Sequence, residues 1–214
     1  VIRIVIADDH TIVREGLKQL LGAAGDIEVA GEARDGHEVL KRVRELEFDV
    51  LLLDMSMPGK SGIELIKLVK AERPRLRVLV LSMHEEHQYA VRAIRAGASG
   101  YLTKESASGQ LVAAIHKVAG GGAFISAAVA EQLALGAMPD AHGPLHGALS
   151  DREFQVFRML AEGKSISDIA ERLSLSVKTV STHKANILHK MNMATSGDLI
   201  RYAIAHRLVE GPED

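Results

Sequence analysis

The feature that most narrows the fold is a series of five short apolar runs, each followed by an amphipathic stretch. The runs are 1–7 (VIRIVIA), 27–33 (IEVAGEA), 49–54 (DVLLLD), 78–82 (VLVLS) and 100–104 (GYLTK). Three are almost unbroken Val, Leu and Ile, the composition of parallel strands covered on both faces. Between them apolar residues recur at helical spacing: Ile12, Val13, Leu17, Leu20 and Leu21, then Val39, Leu40, Val43 and Leu46, then Ile63, Leu65, Ile66, Leu68 and Val69. Ala90, Val91, Ala93 and Ile94 suggest a fourth helix, and Leu111, Val112, Ile115 and Val118 a fifth. Five strand–helix units in succession predict an α/β fold with a five-stranded, doubly wound parallel sheet.

The texture then changes. Residues 120–148 hold GGGAF, an alanine-rich stretch and MPDAHGPLHGA, with no lysine or arginine. This reads as a linker carrying one short helix around 126–137. From 149 onward only helical patterns occur. Ser150 with Glu153 forms a capping box, and the helix it opens runs to Ala161, closed by Gly163. Ser165–Leu173 follows, then a break at Ser174-Leu175-Ser176, a helix from Val177 to about Met191, and a last one starting at Thr195 or Ser196. The expected organisation is a domain over 1–119, a linker over 120–148 and an all-α, four-helix domain over 149–214.

At 214 residues the chain suits two domains. It has no cysteine, which removes disulfides, thiolate metal sites and cysteine nucleophiles and fits a cytoplasmic location. No tryptophan and 3% aromatic residues argue against a stacking platform for single-stranded nucleic acid. No apolar run approaches the roughly 20 residues of a membrane span. The opening VIRIVIADD lacks a signal-peptide pattern, and Val1 in place of methionine implies a native start removed or lying upstream.

In open α/β sheets chemistry collects outside the carboxyl ends of the strands. There the sequence places Asp8 and Asp9 after the first strand, Asp54 ending the third, Ser82 ending the fourth and Lys104 just past the fifth. Three neighbouring carboxylates repel one another and favour a divalent cation; an all-oxygen set that leaves waters in place suits Mg2+ best. Beside such charge Asp54 becomes a usable nucleophile toward a phosphoryl group, while Lys104 and the Ser82 hydroxyl can hold the transferred oxygens. Taken singly, Asp8 and Asp9 could merely cap the first helix, Asp54 could be a loop acid and Lys104 a solvated cation; their placement at successive strand ends is what that reading leaves unexplained.

The order D-D (8–9), D-M-S-M-P-G (54–59), S-M-H (82–84) and Y-L-T-K (101–104) resembles the receiver domain of two-component response regulators, with its flavodoxin-like sheet, over residues 1–119. The resemblance implies a phospho-accepting Asp54, Mg2+ held by Asp9, Asp54 and the Ser56 carbonyl with Asp8 acting through water, and Ser82 with Tyr101 as a switch pair. It implies a sensor histidine kinase as phosphodonor. Two departures stand out: Glu105 replaces the proline many receivers have after the lysine, and Met83 is larger than the usual residue after the switch hydroxyl. The resemblance also implies that Ser56 and His84 flank the site and tune dephosphorylation, in a direction the sequence leaves open.

The helices at 165–173 and 177–191 have helix-turn-helix proportions. Val180, Ile187 and Leu188 would anchor the second, leaving Lys178, Ser181, Thr182, Lys184 and Ala185 outward, a basic and hydroxyl-rich face that suits a major groove. A plain helical bundle with solvated lysines fits the lysines alone equally well. The segments L-S-D-R-E (149–153), A-E-G-K-S-I-S-D-I-A-E-R-L (161–173) and S-V-K-T-V-S-T-H-K (176–184) resemble the LuxR-type DNA-binding domain, and with a receiver they resemble the NarL/FixJ class. The resemblance implies DNA contacts from Lys178, Thr179, Ser181, Thr182, His183 and Lys184 on double-stranded DNA. It further implies an active homodimer paired partly through Leu199, Ile200 and Ala203, with RNA polymerase as a further partner. Phosphorylation would act either by uncovering the recognition helix or by pairing receivers.

Other signals carry less. His84 and His87 do not form H-E-x-x-H, so an exposed helix start is the better reading than a metal site. His142 and His146 fall in the linker and are expected to bind nothing, and Gly120-Gly121-Gly122 reads as a hinge. One rival, an aspartate-nucleophile phosphatase, needs a second acid two residues after Asp54, where Ser56 stands; the expectation is a stoichiometric acceptor, not an enzyme. The other rival is a DNA-binding protein indifferent to phosphorylation.

Overall fold

The computed structural model describes residues 1–58, 62–82, 87–135, 144–206 and 208–209. The chain divides into two compact units, Val1–Leu133 and Ala134–Asp214. In the first, β1 (Ile2–Ala7), β2 (Ile27–Ala33), β3 (Val50–Asp54), β4 (Arg77–Ser82) and β5 (Gly100–Thr103) alternate with α1 (Thr11–Gly22), α2 (Gly36–Glu45), α3 (Gly62–Glu72), α4 (His87–Arg95) and α5 (Lys104–Ala119). The sheet is parallel throughout in the order β2-β1-β3-β4-β5. The order reverses between β1 and β3, the position where such sheets open a crevice at the strand carboxyl ends.

The unbroken apolar runs are explained by two-sided burial. Ile4, Ile6, Leu52, Leu79 and Leu81 pack with Leu17 and Leu21 of α1 and Leu111, Ile115 and Val118 of α5. The alternate residues Val5, Leu51, Leu53, Val78 and Val80 are equally buried and, by the two-residue period of a strand, point to the other face. α2 and α3 pack on each other, and α3 on α4. The expected inner face of α1 is corrected at one position: Ile12 is 88% exposed, and the buried stripe is Arg14, Leu17 and Leu21.

The linker stretch is partly built into this unit. Gly120 caps α5, and Gly121 takes φ +90 to turn the chain back. Phe124 N then donates to Ser99 O and Phe124 O accepts from Tyr101 N, forming a parallel bridge on β5 at Gly100. Gly100 is required there, because a Cβ would lie 2.9 Å from Phe124 O. α6 (Ala127–Leu135) follows, with Val129 packed against Ala90 and Val91.

In the second unit a 3-10 turn (Leu145–Ala148) precedes α7 (Asp151–Ala161), α8 (Ile166–Arg172), α9 (Val177–Lys190) and α10 (Ser196–Ala205). Ser150, Ser165 and Thr195 each close a capping box, with Glu153, Asp168 and Asp198, and Ser176 caps α9 through Thr179 N. Gly163 takes the left-handed conformation after α7, while the turn between α8 and α9 places Ser174 at φ +52. The core is Phe154, Val156, Phe157, Ile169, Val180, Ile187, Leu199 and Ala203, all fully buried. His146, expected to sit idle in the linker, is instead buried among Phe154, Tyr202 and His206, with Nδ1 2.9 Å from the Tyr202 hydroxyl. Among the described residues no helix is long and apolar enough to cross a membrane.

Candidate functional site

β1 and β3 are neighbours in register, so their carboxyl ends deliver Asp8, Asp9 and Asp54 to one place. Ligand atoms of Asp8, Asp9, His10 and Asp54 all lie within 4.8 Å of one another. Asp8 is 1% exposed and Asp54 is fully buried. Lys104, the first residue of α5, donates from Nζ to Asp8 Oδ2 at 2.6 Å. Its distance to Asp54 Oδ2 is 3.2 Å, an ion pair without hydrogen-bond alignment. Burial pushes the Asp54 carboxyl above the usual range and Asp8 adds to this, while Lys104 and the Ser56 backbone N–H oppose it.

Asp8 does not act as a helix cap. The N-cap of α1 is His10, whose side chain caps nothing, although its N–H donates to Asp8 Oδ1 at 2.8 Å. The oxygens Asp9 Oδ1 and Asp54 Oδ2 are buried and accept no hydrogen bond. Buried carboxylate oxygens in that condition are costly unless a cation meets them. Three carboxylates with two such oxygen atoms fit a hard divalent cation, and His10 Nδ1, 3.1 Å from Asp9 Oδ1, is the one imidazole nitrogen grouped with them among the described residues.

Ser82 is buried at the end of β4, one residue beyond the register partner of Asp54, and faces Thr103 on β5. Tyr101 on β5 is half-buried, packed toward Ala90, Val91 and Val129. Ser56 is half-buried, and its N–H donates to Asp54 Oδ1 at 3.2 Å. Glu105 occupies the first turn of α5, where Thr103 caps through Ser106 N. Met83, His84, Glu85, Glu86 and His142 lie outside the described residues.

The sequence reading missed Arg14, which is 6% exposed. Its guanidinium donates to the Asp8 carbonyl and to Glu32 Oε2, both at 2.8 Å, fixing the loop that carries the acids. The available signal was an arginine spaced three and seven residues before Leu17 and Leu21, on the apolar stripe itself.

In the second unit α9 exposes Val177, Lys178, Ser181, Thr182, Ala185 and Asn186, while Thr179, His183 and Lys184 are half-buried. The Ser181 and Thr182 hydroxyls donate to carbonyls one turn back. Lys190, the last residue of α9, has a structural partner: its Nζ donates to Glu153 Oε2 at 2.7 Å and ties the end of α9 to the start of α7. A second correction concerns pairing. Leu199 and Ala203 are fully buried against their own domain, so neither side chain is available to a second copy; Ile200 is half-buried and Ile204 38% exposed.

Comparison with known proteins agrees with both halves. The family described as response regulator receiver domain matches residues 4–116, and that of bacterial regulatory proteins, luxR family, matches 147–203. Response regulator GacA of Pseudomonas aeruginosa is 35% identical over 210 residues, 98% of each chain. Response regulator UvrY of Escherichia coli is 34% identical over 208 residues, 97% of this chain and 95% of that one. A structure of the Salmonella typhimurium RcsB response regulator is 28% identical with a TM-score of 0.74, covering 96% of this chain and 98% of that one. RcsB bound to a promoter in the presence of phosphomimetic BeF3- gives 28% identity and a TM-score of 0.69, covering 95% and 98%. A parallel sheet bearing an acidic crevice, joined to a capped helix-turn-helix unit and matched end to end by such relatives, leaves one assignment: the chain belongs to the two-component response regulators of the NarL/FixJ class, DNA-binding transcriptional regulators with a receiver and a LuxR-type domain.

Proposed function

We propose that Asp54 is the phosphoryl acceptor and that its occupancy controls dimerisation and promoter binding. The observation that supports this most is the buried meeting of Asp8, Asp9, Asp54 and Lys104 at the β1/β3 crevice. An Asp54 carboxylate oxygen attacks the phosphorus of a kinase phosphohistidine; the P–N bond breaks and the imidazole leaves, taking up a proton. Lys104, held between Asp8 and Asp54, is placed to shift toward the transferred group, and the Ser82 hydroxyl is one residue along from Asp54's strand partner. Asp9, Asp54 and the Ser56 carbonyl would hold Mg2+, with Asp8 contributing through water; when bound, the ion offsets the charge of carboxylate and phosphate. With Ser56 where a general acid would be needed, the chain works as a stoichiometric acceptor with at most slow self-dephosphorylation.

Tyr101 lines a cavity of about 310 Å3 together with Phe124 and Val129, so a turn of its ring alters the packing of the segment leaving the sheet. That supports a route from phosphate to the rest of the chain. Promoter contacts come from the exposed face of α9, chiefly Lys178, Ser181 and Thr182, with Thr179, His183 and Lys184 beside them. A single recognition helix buries too little surface for tight specific binding, so a homodimer on a two-part site is the active form. RNA polymerase and a cytoplasmic location complete the reading.

The test is acetyl phosphate with Mg2+ followed by intact mass and a DNA mobility shift. Wild type gains one phosphoryl group and binds DNA more tightly; Asp54→Asn does neither. An adduct that survives in Asp54→Asn, or DNA binding indifferent to the donor, overturns the reading.

A further inference from the structure

At the opposite end of the sheet from Asp54, the amino ends of β1 and β4 and the residues entering β3 border a cleft of about 660 Å3. Four arginines line it: Arg3, Arg73, Arg75 and Arg77. Arg73 is committed to the fold. Its guanidinium donates to the carbonyls of Val43 and Leu46, pairs with Glu47 and lies 5.2 Å from the Phe48 ring centre. Of the other carboxylates of the cleft, Glu72 takes both its bonds from Arg44, and Asp49, which accepts from the Arg3 backbone N–H, keeps its charge against three guanidinium groups. Arg3, Arg75 and Arg77 have no ion-pair partner among the described residues.

The field in the cleft is therefore cationic despite its mixed composition. Next to it, Lys70 Nζ is held by the Pro74 and Leu76 carbonyls, and burial followed by the charge of Arg77 presses its ammonium toward the neutral form. Like charges gathered in a concavity are unfavourable in isolation and become favourable around a polyanion. Guanidinium forks match phosphate oxygens two at a time, and the pinned Arg73 with Pro74 and Leu76 gives the cleft a fixed wall. The volume falls in the range of small-ligand sites and exceeds what a single phosphate needs.

We propose that the cleft formed by Arg3, Arg75 and Arg77 at the amino ends of β1 and β4 binds a small molecule carrying two or more adjacent phosphate groups. A free oligophosphate and a nucleoside di- or triphosphate share that chemistry. The site is separate from the acceptor crevice and does not rest on the phosphorylation reading.

The test is calorimetric titration of the full chain in EDTA, at near-physiological salt, with inorganic tripolyphosphate and, separately, ATP and GTP. The expected result is saturable one-to-one binding, weakened by about tenfold or more in Arg75→Gln/Arg77→Gln, because two guanidinium forks to phosphate oxygens are lost. Lys178→Gln/Lys184→Gln leaves it unchanged. Tighter binding of ATP or GTP than of tripolyphosphate identifies a nucleotide; equal affinity identifies the oligophosphate. Circular dichroism and a cooperative thermal melt like that of wild type confirm that the double arginine variant is folded. Absent saturation, loss of binding only in the lysine variant, or preference of the arginine site for an acidic peptide or duplex DNA would overturn the proposal.

Discussion

Replacing Lys104 with methionine should expose the electrostatic strain of the acceptor crevice. The lysine side chain is 13% exposed, between Asp8 at 1% and Asp54 at 0%. Methionine keeps most of the apolar stem but leaves two buried carboxylates facing each other. Removing one partner of a buried charge cluster costs about 3–5 kcal/mol. With a urea slope of about 2 kcal/mol/M, the receiver's midpoint should fall by roughly 1.5–2.5 M in EDTA. The pH dependence has a definite sign. Asp54 already titrates above the ordinary range in wild type, chiefly through burial, and losing Lys104 raises it further. A raised carboxylate binds its proton more tightly folded than unfolded. Its contribution is therefore favourable below the unfolded pKa and is lost as pH rises through the folded one. The gap between variant and wild type, measured by urea unfolding at each pH, should be widest at pH 7 and narrow toward pH 5. Asp54→Asn placed in the same background should recover part of the loss. Equal midpoints for Lys104→Met and wild type, or a gap independent of pH, would refute the reasoning.

Other outcomes follow from the same structure. Millimolar Mg2+ should stabilise the receiver in thermal melts, by about 2.7 kcal/mol at a hundredfold excess over Kd, and Asp9→Asn should abolish the effect. Glu153→Ala removes the Lys190 ion pair and half of a capping box; a loss of about 1–2 kcal/mol in the helical unit is expected by denaturant unfolding, with weaker DNA binding as α9 loosens. In wild type the Glu153 carboxyl is raised by burial but lowered overall by Lys190 and Ser150, so its stabilisation is present above the unfolded pKa and lost as pH falls through the folded one. Ser174→Gly should stabilise the helix-turn-helix by about 0.5–1 kcal/mol and Ser174→Val destabilise it by about 1–2, because the position holds φ +52.

The strands and the acidic crevice were legible because both follow from rules of short range. Continuous apolar runs mark two-sided burial, and a strand's last residue marks the crevice, so Asp8, Asp9, Asp54 and Lys104 could be placed together from spacing alone. The capping box at Ser150 was equally local, while those at Ser165 and Thr195 emerged only with the structure. What escaped were pairings between residues far apart in sequence. Nothing near Lys190 says that it meets Glu153, and nothing near His146 says that Tyr202 closes over it. Phe124 follows three glycines and reads as linker, yet its backbone is bonded to β5. Leu199 and Ala203 show a helical stripe, but a stripe does not say whether it faces its own core or a second copy; full burial answers that.

The bridge at Phe124 has a consequence for how two such molecules can meet. β5 would otherwise end the sheet with a row of open backbone donors and acceptors, an invitation to strand-by-strand addition. With Tyr101 N and Ser99 O already bonded to Phe124, that rim is sealed in part by the chain's own continuation. Where the bridge lies, association along this side is left to side-chain surfaces, because ladder extension has no free backbone partners at Ser99 O and Tyr101 N.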